Sequence, residues 1–209
     1  MKTKVLNIAL SDVTLIGDLS IPDEAKALII FAHGSGSSRL SPRNRRVADV
    51  LNGHHFATLL FDLLTEMEDC DYAMRFDIQL LTRRLIDTTE RMLEKKELEG
   101  YPIGYFGAST GAAAALAASA ALPSVIKAVV SRGGRPDLAK ESLKEVRAAT
   151  LLIVGGSDEI VIDLNREAFD ALNTKKHLMI IPGATHLFEE PGKLEQVAAA
   201  ATGWYEKYL

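Results

Sequence analysis

Cysteine occurs once in this chain, at Cys70. A lone thiol excludes an internal disulfide and a multi-cysteine metal site, and it is the usage expected of a reducing compartment. No charge of one sign dominates. Twenty-four Lys and Arg stand against 28 Asp and Glu, a formal charge of −4, with no long single-sign run. That balance excludes the basic footprint of a nucleic-acid binder or of a protein held to an anionic membrane surface. Long apolar runs are missing too: none approaches the roughly 18 residues that a membrane span needs. The amino terminus carries Lys2 and Lys4, but Asn7, Ser11 and Asp12 break the apolar stretch that follows before a signal-peptide core can form. A cytoplasmic protein with a small-molecule substrate is the expectation. Repeats and low-complexity linkers are also absent, so residues 1–209 are expected to form one domain.

What is present is an alternation of strand and helix patterns. Val5–Leu10 and Val13–Leu19 are short alternating runs with Ser11-Asp12 between them, which reads as an antiparallel hairpin. After it come nearly continuous apolar runs at Ala27–Ala32, Ala57–Phe61, Ile103–Phe106, Ala128–Val130, Leu151–Val154 and Leu178–Ile181. Such runs are the pattern of parallel strands covered on both faces. Between them Ile78, Leu81, Leu85, Thr88 and Met92 recur at helical spacing, as do Leu194, Val197, Ala201, Trp204 and Tyr208 near the end. The fold class is therefore α/β, a doubly wound, mostly parallel sheet with the hairpin as its antiparallel edge.

Gly107-Ala108-Ser109-Thr110-Gly111 matches G-x-S-x-G and stands between an apolar strand pattern and the Ala-rich stretch Ala112–Ala121. The turn has to be tight enough to lift the serine hydroxyl above the sheet, and glycines two before and two after it allow that approach. A serine nucleophile needs a base. His186, in Pro182-Gly183-Ala184-Thr185-His186, follows the last strand pattern; Asp158, in Gly155-Gly156-Ser157-Asp158, follows the one before. Both would project at the carboxyl edge of the sheet beside Ser109, where open α/β folds build their sites. Glu159 and Asp137 are the alternative acids. His33-Gly34-Ser35-Gly36 follows the strand Ala27–Ala32, so the amides of Ser35 (or Gly36) and Thr110 are placed to hold a developing oxyanion. His33 would order that loop rather than transfer protons.

Arg39 follows the same loop, and Arg132 and Arg135 follow another strand, so all three are candidates for a substrate anion. Their alternative role is to tie loops together through carboxylates such as Asp137. Leu64–Phe76, with Glu66, Glu68, Asp69 and Asp71, reads as a solvated acidic connector or, second, as a mobile loop beside the pocket. The histidines lack metal-ligand spacing, and neither metal nor cofactor is implied.

Together H-G-S-G-S-S, G-A-S-T-G, G-G-S-D and G-A-T-H resemble the α/β-hydrolase superfamily, and the lid-free size resembles its dienelactone-hydrolase-like branch. The resemblance spans most of the chain and implies a triad in the order Ser109, Asp158, His186. Its departure is the nucleophile, since the named dienelactone enzymes carry a cysteine where this chain has Ser109. It implies a serine hydrolase acting on a small ester, lactone or thioester. Only about twenty residues separate two successive strands, Ala128–Val130 and Leu151–Val154, so no cap domain is expected. An acyltransferase, a carbon–carbon hydrolase and a non-catalytic binding module on the same fold are the alternatives.

Overall fold

The computed structural model describes residues 1–209, and its frame is one sheet of eight strands. In chain order the strands are β1 (Lys2–Ala9), β2 (Thr14–Ile21), β3 (Ala27–Ala32), β4 (Phe56–Phe61), β5 (Ile103–Ala108), β6 (Ile126–Arg132), β7 (Ala149–Gly155) and β8 (Lys176–Ile181). The helices are α1 (Pro42–Gly53), a single turn α2 (Glu66–Asp69), α3 (Ile78–Leu93), α4 (Thr110–Ala121), α5 (Glu159–Ala171) and α6 (Lys193–Tyr208). Spatial order across the sheet is β1-β2-β4-β3-β5-β6-β7-β8. The hairpin β1–β2 is antiparallel and attaches antiparallel to β4; every pairing from β4 to β8 is parallel.

The chain moves outward from β3 to β4, then returns past β3 to β5 and continues the other way. The crevice outside the carboxyl ends of β3 and β5 is thus where strand order reverses, the place such sheets bind ligands. α1 and α6 cover one face through Val47, Leu51, Val197, Ala201 and Tyr205. The other face is covered by α3, α4 and α5 through residues such as Leu81, Leu85, Leu116 and Ala168. β3, β4, β5 and β7 are buried along their whole length, which explains their unbroken apolar sequences.

β8 departs from the reading of a strand covered on both faces. It is the last strand of the sheet, where Leu178 and Met179, on opposite faces, are only partly covered and Ile180 is 37% exposed, so its apolar run reflects an edge position with incomplete cover. Residues 64–76 also hold more structure than a plain connector. Thr65 accepts from Glu68 N–H, while the Glu68 carboxylate accepts from Thr65 N–H, a capping box that starts α2. Glu68 also takes Nη2 of the buried Arg84, 2.9 Å away on α3, so this acidic segment is pinned to the core.

Helix starts follow their capping residues: Ser41 accepts from Asn44 N–H ahead of Pro42 in α1, and Asp77 accepts from Leu80 N–H in α3. α4 is nearly all alanine and buried on almost every side, because small side chains let a helix lie close against the strands. Between β6 and β7 the chain forms only a 3₁₀ segment, Pro136–Glu145, packed on α4 and α5. It adds no cap over the sheet edge.

Candidate active site

Ser109 joins β5 to α4 with φ 52° and ψ −120°, a left-handed backbone that a serine adopts only under constraint. The constraint is visible in its neighbours. A Cβ at Gly107 would stand 2.4 Å from Ala112 Cα, and one at Gly111 would stand 2.2 Å from the Ala32 carbonyl oxygen. Neither position admits a side chain, so the glycines of the motif are required by close backbone approach. The turn is fixed further by hydrogen bonds. Ser109 N–H donates to Arg132 O at 3.2 Å, and Ser109 O accepts from Arg135 N–H at 3.1 Å.

The loops after β7 and β8 bring acid and base together. Gly156 N–H donates to Ile181 O and Ser157 N–H to Ala184 O, and a Cβ at Gly155 would lie 2.4 Å from the latter oxygen. In this contact His186 Nδ1 sits 2.7 Å from Asp158 Oδ2. With Nδ1–H donating to the carboxylate, Nε2 is the nitrogen left to accept a proton. Gly133 lies under the ring: at φ 52° it has no side chain, and a Cβ there would be 3.5 Å from His186 Nδ1 and Cε1.

Ser109 and His186 therefore face one edge across the Gly133 turn. The Ser109 hydroxyl is not in hydrogen-bonding geometry with His186, whose side chain bonds only Asp158. Such contacts tighten when substrate binds. Of the alternative acids, Asp137 is taken by both nitrogens of Arg135, at 2.9 and 2.7 Å, and Glu159 is exposed at the start of α5.

Gly34 packs against Ser109, since a Cβ there would be 3.1 Å from Ser109 Cβ, and this brings the loop after β3 alongside the turn from β5 to α4. Ser35 follows directly. Thr110 is the first residue of α4, so its N–H has no acceptor within the helix and points toward the helix's positive end. His33 is buried and bridges two loops: Nδ1–H donates to Gly34 O at 2.9 Å and Nε2 accepts from Leu63 N–H at 3.0 Å. Burial holds its pKa below the ordinary 6.5, a neutral ring that orders the loop.

The three candidate arginines part ways. Arg39 donates from Nη1 to Asp62 Oδ2 at 2.5 Å and lies 3.6 Å from Asp18, so it clamps the hairpin and the end of β4 rather than offering an open fork. Arg135 is spent on Asp137, which raises its pKa. Arg132 alone holds no carboxylate. Sequence reasoning passed over Arg75, in a 3₁₀ turn at Met74–Phe76, whose Nη1 would stand 3.5 Å from a Cβ at Gly36. Its Nε and Nη2 bond to Asp69, and the basic residue inside an otherwise acidic segment was the available signal.

A recess of about 270 Å³, lined by residues including His33, Ser37, Arg39, Asp62 and Asp69, does not include Ser109 or His186. Ser109, Asp158 and His186 sit on an open edge, with the His186 side chain 37% exposed. No group of three or more His, Cys, Asp or Glu residues is arranged to hold a metal ion. No helix is long and apolar enough to cross a membrane.

Comparison with known proteins bears on the fold and the family. A dienelactone hydrolase from Anabaena variabilis superposes with a TM-score of 0.97 at 50% identity, over 100% of this chain and 98% of that one. Est1E from Butyrivibrio proteoclasticus has the same fold, with a TM-score of 0.84 at 16% identity over 97% and 98% of the two chains. A Mycobacterium tuberculosis protein provisionally named a phosphoribosyl transferase is 52% identical over all 209 residues, but the match covers only 47% of that relative. The chain thus spans about half the length of the curated relatives it matches. The sequence model of the dienelactone hydrolase family matches residues 19–209, and the chain belongs to that family.

Proposed function

We propose that this chain is a serine hydrolase that cleaves a carboxylic ester, lactone or thioester of a small molecule through an acyl-enzyme. The observation that carries the reading is the backbone of Ser109, held at φ 52° between Gly107 and Gly111. Strain of this kind costs about 1–3 kcal/mol and is kept where a side chain must be presented to a ligand. The paired His186 and Asp158 supply the base that such a serine needs.

In this reading His186 Nε2 takes the proton of Ser109 as its Oγ attacks the carbonyl carbon. The amides of Ser35 and Thr110 hold the oxyanion, and Asp158 stabilises the imidazolium. The leaving alcohol or thiol takes the proton from His186. Water then attacks the acyl-enzyme with the same imidazole as base and releases the acid. The scheme requires neither metal nor cofactor. With an exposed thiol at Cys70 that has no disulfide partner, we place the protein in the cytoplasm.

Transfer to an acceptor other than water is the second reading, because the fold and a serine–histidine–aspartate set do not fix the acceptor. Product analysis of the acyl-enzyme's fate separates the two. A fluorophosphonate probe tests both at the nucleophile. We expect it to label Ser109, and Ser109→Ala to abolish labelling and lower ester turnover by about 10⁴-fold or more with the circular dichroism spectrum unchanged. Labelling at another serine, or turnover retained in Ser109→Ala, overturns the assignment; a wild-type protein that neither reacts nor turns over leaves a binding module.

A further inference from the structure

Asp158 fixes one atom of the His186 side chain, Nδ1, and Gly133 lies under the ring. Neither contact holds the backbone from which the ring hangs. That backbone belongs to no helix or strand: β8 ends at Ile181 and α6 begins at Lys193. Ahead of the histidine the loop is tied down at Ala184, which is buried and whose carbonyl accepts from Ser157 N–H at 2.9 Å. Beyond it Phe188 is the anchor, 1% exposed in the layer between the sheet and the pair α1 and α6. Phe188 N–H donates to Thr185 O at 3.2 Å, so Thr185–Phe188 is a tight turn with His186 and Leu187 at its corner.

The turn is strained and open to solvent. Phe188 has φ 58°, a left-handed backbone that a bulky residue adopts only when its surroundings require it, and Leu187 is exposed. Left unclosed, such a turn would let the imidazole swing about its bond to Asp158. One side chain closes it. Glu190 folds back over the turn, and its Oε1 accepts from Thr185 N–H at 3.0 Å, a donor that lies past the end of β8 and has no strand partner. The neighbouring Glu189 points elsewhere, to Arg43 Nη1 at 2.6 Å. Lys193 N–H donates to Glu190 O at 3.0 Å, so Glu190 joins the first residue of the histidine turn to the start of α6. Hydrogen bonds from the Thr185 side chain, then from the amides of Glu190 and Thr185, hold its carboxyl below the usual carboxylate range. It is therefore an anion wherever His186 is neutral enough to act as a base.

We propose that Glu190 is a positioning residue for the base: by closing the Thr185–Phe188 turn, its side chain fixes where His186 Nε2 stands relative to Ser109. The inference rests on the reading of Ser109 as nucleophile and His186 as its base. What Glu190 supplies is an acceptor at the right reach rather than its charge. A base displaced by about 1 Å loses up to about 100-fold in rate, and the binding of substrate need not change with it. Shortening the side chain should therefore matter more than neutralising it.

The test sets three variants against wild type on p-nitrophenyl acetate. Glu190→Gln keeps the acceptor and its reach but drops the charge, Glu190→Asp keeps the charge but draws the acceptor back, and Glu190→Ala removes both. We expect kcat to fall about 10- to 100-fold in Glu190→Ala and Glu190→Asp with KM moved by less than about threefold, and Glu190→Gln to recover most of that loss. The proton on His186 Nδ1, read by NMR, should be sharp in wild type and Glu190→Gln and broadened in the other two. An unchanged kcat in Glu190→Ala overturns the proposal, even if the melting temperature falls. So does a loss in Glu190→Gln that matches the loss in Glu190→Ala, since the contribution would then be the charge. Should Glu190→Ala not fold, Glu190→Asp and Glu190→Gln carry the comparison, and equal kcat in the two overturns it. If wild type neither turns over nor takes a fluorophosphonate, the nucleophile assignment has failed, and the Nδ1 proton still reads the turn. A signal broadened in Glu190→Asp and kept in Glu190→Gln supports the positioning role; the same signal in both overturns it.

Discussion

Ser109 and Asp158 stand out in the sequence as candidates because the glycines beside them are dictated by backbone contact, and His186 because Gly183, at φ 70°, marks the turn before it. Glycine at 107, 111 and 155 is written into the chain by oxygen and carbon atoms standing 2.2–2.4 Å from where a Cβ would be. The arginines were harder to read, since a guanidinium's role depends on which carboxylate the fold delivers to it. Asp62 and Asp18 reach Arg39 from a neighbouring strand end and from the hairpin, and nothing near Arg39 in the chain announces either. His33 gives a prediction at this scale. Its folded pKa lies below the ordinary 6.5 because the ring is buried, so the unfolded chain binds its proton first as pH falls. Its contribution is complete above 6.5 and is lost between 6.5 and the depressed folded value. Urea unfolding of wild type should therefore weaken with falling pH in that window by at most about 1.4 kcal/mol per pH unit from this one proton. In His33→Gln, which removes the titration, that part of the slope should vanish; an identical slope in the two proteins would show that His33 is not the group responsible.

At the scale of elements, the strands and the long helices followed from periodicity because each has a single burial demand along its length. α3 shows this: Leu81, Leu85, Thr88 and Met92 are all buried, at the positions that helical spacing selects. β8 misled because an edge strand with incomplete cover can carry the same apolar run as a central one. The segment Leu64–Phe76 misled for another reason: one of its acids, Glu68, is held by Arg84 on α3, outside the segment. Tertiary ties of this kind also hold the Gly133–Arg135 turn that packs under the His186 ring. Asn165 on α5 is fully buried, and its Nδ2 donates to Gly134 O at 3.0 Å and to Val161 O at 2.8 Å. Asn165→Ala strips Gly134 O of this donor inside the protein, and unfolding in urea should report a loss of about 1–3 kcal/mol. Fluorophosphonate labelling of Ser109 should slow in the same variant, because the turn bonds the nucleophile's carbonyl through Arg135 N–H. Lost stability with an unchanged labelling rate would confine Asn165 to packing α5.

For the whole molecule the decisive feature is what stands between β6 and β7. Sixteen residues, Gly133–Ala148, make that connection, and the 3₁₀ segment within it turns back onto α4 and α5 instead of rising over the sheet edge. Nothing else in the chain roofs Ser109, since the 64–76 segment is bound to α3 through Arg84 and the hairpin lies at the far edge of the sheet. A long acyl chain gains from an enzyme only where apolar walls remove it from water, at about 0.8 kcal/mol per buried methylene. The recess of about 270 Å³ lined by His33, Ser37 and Arg39 has Asp62, Glu66 and Asp69 in its walls and does not include Ser109 or His186, so it offers no acyl channel at Ser109. For p-nitrophenyl esters in solution, kcat/KM should accordingly peak at acetate to butyrate and then level or fall, with no gain from hexanoate to decanoate. Deep burial would instead give several-fold improvement per methylene, about fourfold for 0.8 kcal/mol. A steady rise of that size through decanoate would mean that an apolar channel forms beside Ser109 when substrate binds, and that the open edge is not how the enzyme meets its substrate.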